Sequence, residues 1–223
     1  MDQPPRIVFL FDVDNTLLDN DRVIRDLNRH LDRHFGPARR EKYFALFEEL
    51  RRELGYADYL GALQRYRVQY PTDPGLLEIS AYLIDYPFAN RLYPGSLDAV
   101  EHSRQWGPAV VLTDGDVVFQ PRKVRRSGIA DAVDGNVLVY IHKELMLADL
   151  EARFPAARYV LIDDKVRILA AVKEQWGPRV TTVFPRQGHY ALDEASVSKY
   201  AKPDLTIERI GDLTNFGAEA FGL

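Results

Sequence analysis

The sequence predicts an α/β fold, namely a Rossmann-like, three-layer α/β/α core on a parallel sheet with an inserted all-helical domain. Three observations support this prediction. Residues 7–11, IVFLF, form a short apolar run that is typical of a strand buried on both faces. The long segment after it contains only helical patterns. Beyond that segment, helices alternate with apolar runs, as in successive βαβ units. We therefore expect a core domain at 1–18 and 90–223 and a helical domain at 19–89.

Four helical patterns make up the inserted segment. In the first, Leu27 and Leu31 recur at helical spacing, and Gly36 ends the pattern. Pro37 suits the first turn of the second pattern, which ends at Gly55. The stretches DYLGALQRYRVQY and GLLEISAYLIDYP predict two more helices, each ended by a proline. The many tyrosines of this segment are expected to pack on helix faces.

The rest of the chain alternates helices and strands. A helix with Ser96 as its N-cap and Gly107 as its stop precedes a buried strand at Ala109–Leu112, which runs into Thr113. A short helix ending at Gly128, a weak strand NVLVYI and a helix over KELMLADLEARF follow. Strands are predicted over ARYVLIDD, RVTTVFP and PDLTIERI, with a helix over KVRILAAVKEQWG and a short helix at the end. Strands connected in this way lie parallel, so their carboxyl ends share one edge.

The composition excludes several functional classes. The chain has 223 residues, enough for one large domain or a core with an inserted module, and is 46% hydrophobic and 28% charged, as in ordinary globular proteins. A net charge of −4 argues against nucleic acid as a partner. The lack of cysteine excludes disulfides and thiolate chemistry. No apolar stretch suits a membrane span or a secretory signal, so we expect a cytoplasmic protein without a membrane partner.

Polar side chains follow the predicted strands at their shared edge. In chain order they are Asp12 and Asp14, Thr113, Lys143, and Asp163 and Asp164. Asp12 could simply cap a turn. Taken together, however, the carboxylates would repel one another without a cation, and an oxygen-only ligand set favours Mg²⁺. A lysine and a hydroxyl beside such an ion suit a phosphate group. An aspartate can then attack phosphorus, and a second acid two residues later can serve as general acid and base.

These residues resemble the four motifs of the haloacid dehalogenase (HAD) superfamily of hydrolases, which are mostly phosphatases. FDVDNTL is similar to the first motif, DxDxT, and VVLTDGD to the second. Lys143 resembles the third, although Glu144 follows it where proline is frequent, and LIDD resembles the fourth in its paired-acid form. LYPGSLDAV is similar to the segment that returns from the cap to the core. The resemblance implies that the inserted helices form a C1-type cap, which covers the site as a lid.

The resemblance implies a role for each acid. Asp12 would be the nucleophile and a Mg²⁺ ligand. Asp14 would be the general acid and base, with its backbone carbonyl on the metal. Asp163 would bind Mg²⁺ directly, and Asp164 directly or through water.

The resemblance also implies a phosphate site. Thr113 and Lys143 would hold the transferring group, helped by backbone amides near Asp114 and Gly115. Two other lysines are alternatives for the third motif, namely Lys123 and Lys165.

The predicted function is Mg²⁺-dependent hydrolysis of small phosphate monoesters through an aspartyl phosphate on Asp12. A phosphomutase or other phosphotransferase is the nearest alternative. A haloacid dehalogenase is disfavoured, because halide needs no protonation and Asp14 is present. A receiver domain is also disfavoured, since the acid pair comes last and a long helical insertion is present. A non-catalytic phosphate-binding module is disfavoured because all the reactive positions are filled. We expect a small phosphorylated metabolite as the partner of a monomer or homodimer.

Other charged side chains have plainer interpretations. His30 and His34 lie four apart on a helical pattern, a spacing that can bind metal, but with no third ligand nearby a solvated face is favoured. His142 adjoins Lys143 and could touch the substrate, although adjacency alone is weak support for this. His189 could close over the site, but a structural role in a loop is favoured. Four arginines of the inserted segment are expected to pair with neighbouring glutamates, namely Arg51, Arg52, Arg65 and Arg67.

Overall fold

A computed structural model of the chain describes residues 6–223 and contains one six-stranded parallel sheet. The strand order across the sheet is β3–β2–β1–β4–β5–β6, and each neighbouring pair is parallel. The strands are β1 (Ile7–Phe11), β2 (Ala109–Asp114), β3 (Val137–Tyr140), β4 (Arg158–Ile162), β5 (Val180–Pro185) and β6 (Leu205–Ile207). The predicted parallel α/β fold is therefore confirmed.

Helices cover both faces of the sheet and fill the inserted segment. In chain order they are α1 (Asn20–Phe35), α2 (Pro37–Leu54), α3 (Tyr59–Gln69), α4 (Leu76–Asp85), α5 (Ser96–Ser103), α6 (Phe119–Arg126), α7 (Ile129–Ala132), α8 (Leu147–Arg153), α9 (Val166–Trp176), α10 (Gly188–Leu192) and α11 (Glu194–Val197). Short 3₁₀ helices lie at Phe88–Arg91, Lys143–Leu145, Gly177–Arg179, Ile210–Asn215 and Ala218–Phe221. Among the described residues, no helix is long and apolar enough to cross a membrane.

Strand β1 is the centre of the hydrophobic core. All five of its residues are fully buried. Because successive side chains of a strand point to opposite faces, Phe9 and Phe11 pack with α5, α6 and the inserted helices, whereas Val8 and Leu10 pack with α8 and α9. The sheet is thus the middle of three layers, and β1 is buried on both faces as its unbroken apolar sequence predicts.

The four inserted helices share the core cluster that lies on one face of the sheet. Tyr43, Tyr59 and Tyr66 are buried among them, in agreement with the expected packing role. The chain leaves and re-enters the core through neighbouring segments, because Leu18 bridges to Leu92 and the Tyr93 amide donates to the Leu17 carbonyl at 3.0 Å. The domain boundaries at 18/19 and 89/90 stay a prediction.

Some predicted element ends are wrong. Gly95, not Ser96, is the N-cap of α5, because the Ser96 hydroxyl is buried and donates to the Leu17 carbonyl at 2.7 Å. That helix ends at Ser103, before Gly107. The predicted helix over KELMLADLEARF is limited to α8, since its first residues form a 3₁₀ turn in which Lys143 is buried. The end of the chain contains 3₁₀ turns in place of the predicted terminal helix.

A partly buried acid, Asp26, joins the two ends of the inserted segment. Asp26 on α1 accepts hydrogen bonds from Arg91 Nε at 2.9 Å and from the hydroxyl of Tyr86. Burial acts to raise the pKa of Asp26, but the hydrogen bonds from Tyr86 and Arg91 outweigh it and lower the pKa below its ordinary value. The ionised carboxylate therefore stabilises the junction through which the chain returns to the core.

We expect Asp26→Asn to lower the free energy of unfolding at pH 7 by about 1–3 kcal/mol, because a charged hydrogen-bond acceptor is lost. Since the folded-state pKa is lowered, the stabilisation is present above the unfolded-state pKa of about 3.9 and is lost as the pH falls through the folded value. Urea unfolding at pH 7 and below pH 4 measures this. Glu101→Gln, an exposed change on α5, is the control and should stay within about 0.5 kcal/mol. A stability difference for Asp26→Asn that does not shrink in acid would contradict the prediction.

Candidate active site

The carboxyl ends of β1, β2 and β4 lie side by side. Phe11 is in register with Val111 of β2 and with Ile162 of β4. The Asp12 amide donates to the Ile162 carbonyl at 3.0 Å, so Asp12 continues the sheet for one more residue. Parallel pairing therefore brings Asp12 and Asp163 to one edge, although they are far apart in the sequence.

Lys143 is the lysine that neutralises this edge. Its Nζ atom lies 2.5 Å from Asp12 Oδ1 and 2.6 Å from Asp163 Oδ2, and it donates to the Leu112 carbonyl at 3.1 Å. Only 1% of its side chain is exposed. Burial acts to lower the pKa of Lys143, but the charges of Asp12 and Asp163 raise it above the ordinary value. Lys143 is thus a fixed cation between two buried carboxylates.

Glu144 has a partner of its own beside this lysine. It accepts a hydrogen bond from Arg167 Nη1 at 2.6 Å, and its side chain is mostly buried. Glutamate at the position after the lysine is therefore held away from Lys143 by an arginine of α9. The departure from the expected proline does not displace Lys143 from the carboxylates.

Three carboxylates form a buried cluster without enough hydrogen-bond donors. Asp12, Asp163 and Asp164 each offer one oxygen, and these atoms lie within 4.8 Å of one another. Both oxygens of Asp164 and Oδ2 of Asp12 are buried without a hydrogen-bond partner. Burial, followed by the charge of Asp163, raises the pKa of Asp164 well above its ordinary value. Buried oxygens of this kind fit a hard divalent cation such as Mg²⁺, which binds carboxylate oxygen and removes the repulsion.

Asp14 is paired with a different lysine. Lys123 Nζ on α6 lies 2.7 and 2.9 Å from the two carboxylate oxygens of Asp14 and 3.2 Å from Asn20 Oδ1. Lys123 is fully buried. Of the two alternatives for the third motif, Lys123 therefore contacts Asp14, whereas Lys143 is the lysine that contacts Asp12. Lys165 is the N-cap of α9, and its Nζ atom lies over the ring of Tyr190 at 5.0 Å from the ring centre.

The second predicted motif lies at the end of β2. The hydroxyl oxygen of Thr113 is buried and accepts a hydrogen bond from Gln120 Nε2 at 2.9 Å. The Asp114 carboxylate accepts from the Lys143 amide at 2.8 Å, and burial raises the pKa of Asp114 to about 6 despite the charge of Lys143. The Gly115 amide donates to the Tyr140 carbonyl at 2.9 Å, so it is already paired within the sheet.

A family model for haloacid dehalogenase-like hydrolases matches residues 8–184 of this chain. The chain belongs to the haloacid dehalogenase-like hydrolase family. The match covers the carboxylate cluster and both buried lysines, so the resemblance drawn from the four motifs is confirmed at the level of the family.

Solved structures agree with this assignment. The chain is 60% identical to a haloacid dehalogenase-like hydrolase from Burkholderia xenovorans, with a TM-score of 0.91 over 96% of this chain and 100% of that one. An L-2-haloacid dehalogenase from Xanthobacter autotrophicus is 17% identical, with a TM-score of 0.60 over 95% and 97% of the two chains. A magnesium-bound HAD hydrolase from Bacillus subtilis is 16% identical, with a TM-score of 0.59 over 96% and 98%. The last two show a shared fold. Comparison with curated proteins gives no match.

This HAD-like hydrolase has a cavity of about 410 Å³ beside the carboxylate cluster. The inserted helices contribute an apolar wall that includes Ile24, Phe44 and Phe47, and the core contributes Asp14 and Asp114. The cavity therefore lies between the inserted segment and the acid-rich edge of the sheet. Its position suits a substrate that meets both at once.

The structure adds residues to the site that the sequence did not identify. Of the four arginines considered, Arg51 lines the cavity and donates a hydrogen bond to the hydroxyl of Tyr190, whereas Arg52 is exposed. Thr16, the threonine of DxDxT, accepts from the Asp164 amide at 3.0 Å and thereby holds the acid pair. The apolar run before Asp12 and the DxDxT spacing signal Thr16, but no local pattern signals the pairing of Arg51 with Tyr190.

The histidines have distinct places. His142 lines the cavity and packs close to Gly55, where an added Cβ would lie 2.9 Å from its ring. His189 also lines the cavity, and its ring nitrogen lies 2.6 Å from Asp21 Oδ1. His189 lies on α10, not in a loop as predicted, and its contact with Asp21 joins α10 to the start of α1.

We expect Asp164→Asn to have two separate effects. It should reduce the destabilisation that the buried carboxylates cause without a metal, and it should weaken the binding of Mg²⁺. In EDTA, the variant should melt about 2–4 °C above wild type, because one buried and unpartnered charge is removed. Saturating Mg²⁺ should stabilise wild type by about 3 kcal/mol but should have little effect on the variant. Thermal unfolding with and without Mg²⁺ provides the measurement.

Asp98→Asn, an exposed change on α5, is the matched control for this experiment. It should keep the wild-type melting temperature in EDTA and the full response to Mg²⁺. Equal stabilisation of the Asp164→Asn variant by Mg²⁺ would show that the cluster does not hold the ion.

Proposed function

We propose that this hydrolase cleaves small phosphate monoesters in a Mg²⁺-dependent reaction. The observation that supports the proposal is the setting of Asp12, whose carboxylate is buried between Lys143 and an acid pair with partnerless oxygens. A cation held there would balance the carboxylates, so that a phosphate group could approach Asp12 without net repulsion. Asp14 follows two residues later and lines the adjoining cavity, where a leaving group would lie.

The proposed chemistry has two steps. A carboxylate oxygen of Asp12 attacks phosphorus, the ester P–O bond breaks, and protonated Asp14 gives its proton to the leaving alkoxide. Asp14 then takes a proton from water, which attacks phosphorus and releases inorganic phosphate from Asp12. Lys143 holds Oδ1 of Asp12 throughout, and it also offers positive charge to the transferring group.

Metal would complete this arrangement. Asp12, Asp163 and Asp164 are the side chains that would hold Mg²⁺, together with the backbone carbonyl of Asp14. When bound, Mg²⁺ would supply charge neutralisation for the phosphoryl oxygens and the carboxylates. Thr113, whose hydroxyl oxygen already accepts a hydrogen bond from Gln120, can donate its own proton to the phosphoryl group.

Lys123 bears on the role of Asp14. The two Asp14 oxygens are both within 3 Å of Lys123 Nζ, so the carboxyl group is held in one orientation. A substrate that brings its leaving oxygen to Asp14 must compete with Lys123 for this carboxylate.

Two other reactions share much of this machinery. A phosphotransferase would pass the phosphoryl group from Asp12 to a second hydroxyl instead of water. Dehalogenation is the second candidate, because haloacid dehalogenases share the fold. The acid at position 14 favours the phosphate ester, since an alkoxide needs a proton on leaving and a halide does not.

Asp12→Asn tests the proposed nucleophile. The variant should lose at least about a thousandfold of kcat for phosphate release, because the amide cannot form the covalent intermediate. The measurement is phosphate release from p-nitrophenyl phosphate and a panel of metabolite esters, with Mg²⁺ and again with EDTA. Circular dichroism should show an unchanged fold.

Asp131→Asn, exposed on α7, is the control and should retain full activity. Chloride release from 2-chloropropionate is followed in parallel. If the wild-type protein releases chloride but no phosphate, the result would favour dehalogenation and would contradict the proposed phosphatase activity.

Arg51→Met tests whether the inserted helices contact the substrate. Arg51 lines the cavity, so its loss should raise KM about tenfold or more for the best ester of the panel and leave kcat less affected. Arg52→Met changes the next residue of α2, which is exposed, and should leave both constants unchanged. Equal effects of the two substitutions would mean that Arg51 makes no specific contact with the leaving group.

A further inference from the structure

Three potential metal ligands meet on the inserted helices. His30 and His34 lie one turn apart on α1, and Glu78 lies on α4. His34 Nδ1 is 2.9 Å from Glu78 Oε1, and His30 Nε2 is 4.0 Å from the same oxygen. One donor atom from each side chain lies within 4.8 Å of the others. The expectation that the histidine pair has no third ligand nearby is wrong, because the fold brings α4 beside α1.

A surface ion pair accounts for His34 and Glu78 but not for His30. The Nε2 atom of His30 is buried and has no hydrogen-bond partner among residues 6–223. Such an atom costs free energy unless something binds it. The His30 ring is also held in place, because it stacks on Tyr82 with the ring centres 3.8 Å apart and the planes at 15°. A fixed and partnerless nitrogen therefore faces the carboxylate of Glu78.

We propose that His30, His34 and Glu78 form a second divalent-metal site, of the Zn²⁺ type, separate from the carboxylate cluster. Two imidazoles and a carboxylate are a ligand set that Zn²⁺ uses with a water molecule in the remaining position. Zinc–ligand bonds of about 2.0–2.1 Å place neighbouring donor atoms roughly 3–3.5 Å apart. The observed 2.9 and 4.0 Å bracket this spacing, so small side-chain rotations complete the site.

The two metal sites differ in donor chemistry. The carboxylate cluster has only oxygen donors and suits Mg²⁺, whereas the nitrogen donors of His30 and His34 favour Zn²⁺. Access also differs, because the side chains of His34 and Glu78 are 46% and 50% exposed. A bound ion would join α1 to α4 and thereby stabilise the inserted segment by mass action.

The test is calorimetric titration of the full chain with Zn²⁺ in saturating Mg²⁺, which keeps the carboxylate cluster occupied. We expect one equivalent to bind and to raise the melting temperature. Because changes outside the ligand shell already weaken metal binding about 10- to 100-fold, loss of a ligand in His30→Gln or His34→Gln should weaken it at least as much. Glu78→Gln keeps an oxygen and should weaken binding about tenfold.

Two controls locate the ion. Arg33→Gln changes an exposed residue beside His34 on the same helix and should bind Zn²⁺ like wild type. Asp164→Asn should also retain Zn²⁺ binding. Because His34 and Glu78 are half-exposed, their variants should stay folded in EDTA, as circular dichroism will show. Absence of Zn²⁺ binding, binding unchanged by the histidine variants, or binding lost in Asp164→Asn would overturn the proposal. None of these outcomes depends on phosphatase activity.

Discussion

The burial of like charges at the end of β1 is the constraint on which the rest of the structure depends. Asp12, Asp163 and Asp164 are almost completely inaccessible to solvent, and Lys143 is a buried cation in direct contact with two of them. Removing carboxylates from water is costly unless they are paired. The parallel sheet makes this burial possible, because it aligns the ends of β1, β2 and β4 at one edge and surrounds them with apolar layers.

The pairing of lysines with acids divides the site into two parts. Lys143 forms ion pairs with Asp12 and Asp163 of the carboxylate cluster. Lys123 forms an ion pair with Asp14, which lines the adjoining cavity. Each lysine comes from a different segment that follows β2 or β3. One acid is thereby held with the carboxylate cluster and the other is held toward the inserted helices. This separation suits a reaction in which attack on phosphorus and protonation of the leaving group occur on opposite sides.

The inserted helices close the cavity through contacts with distant parts of the core. Arg51 of α2 donates to Tyr190 of α10, and Gly55 packs against His142 near the end of β3. These contacts join residues that are far apart in the chain, so they fix the position of the helices over the acids. Nearby, the Asp26 and Arg91 pair holds the two ends of the inserted segment together.

Local pattern in the sequence determined the sheet, the strand ends and the acidic character of the site. The apolar run before Asp12 and the paired acids at 163 and 164 are visible without a structure, since strand burial and side-chain alternation act over a few residues. Only the tertiary structure decided that Ser96 bonds to Leu17, which lysine meets which acid, and that Glu78 joins His30 and His34. Each of these pairings joins segments that are well separated in sequence. Their geometry depends on how the helices pack, and the local periodicity of a sequence does not predict this packing.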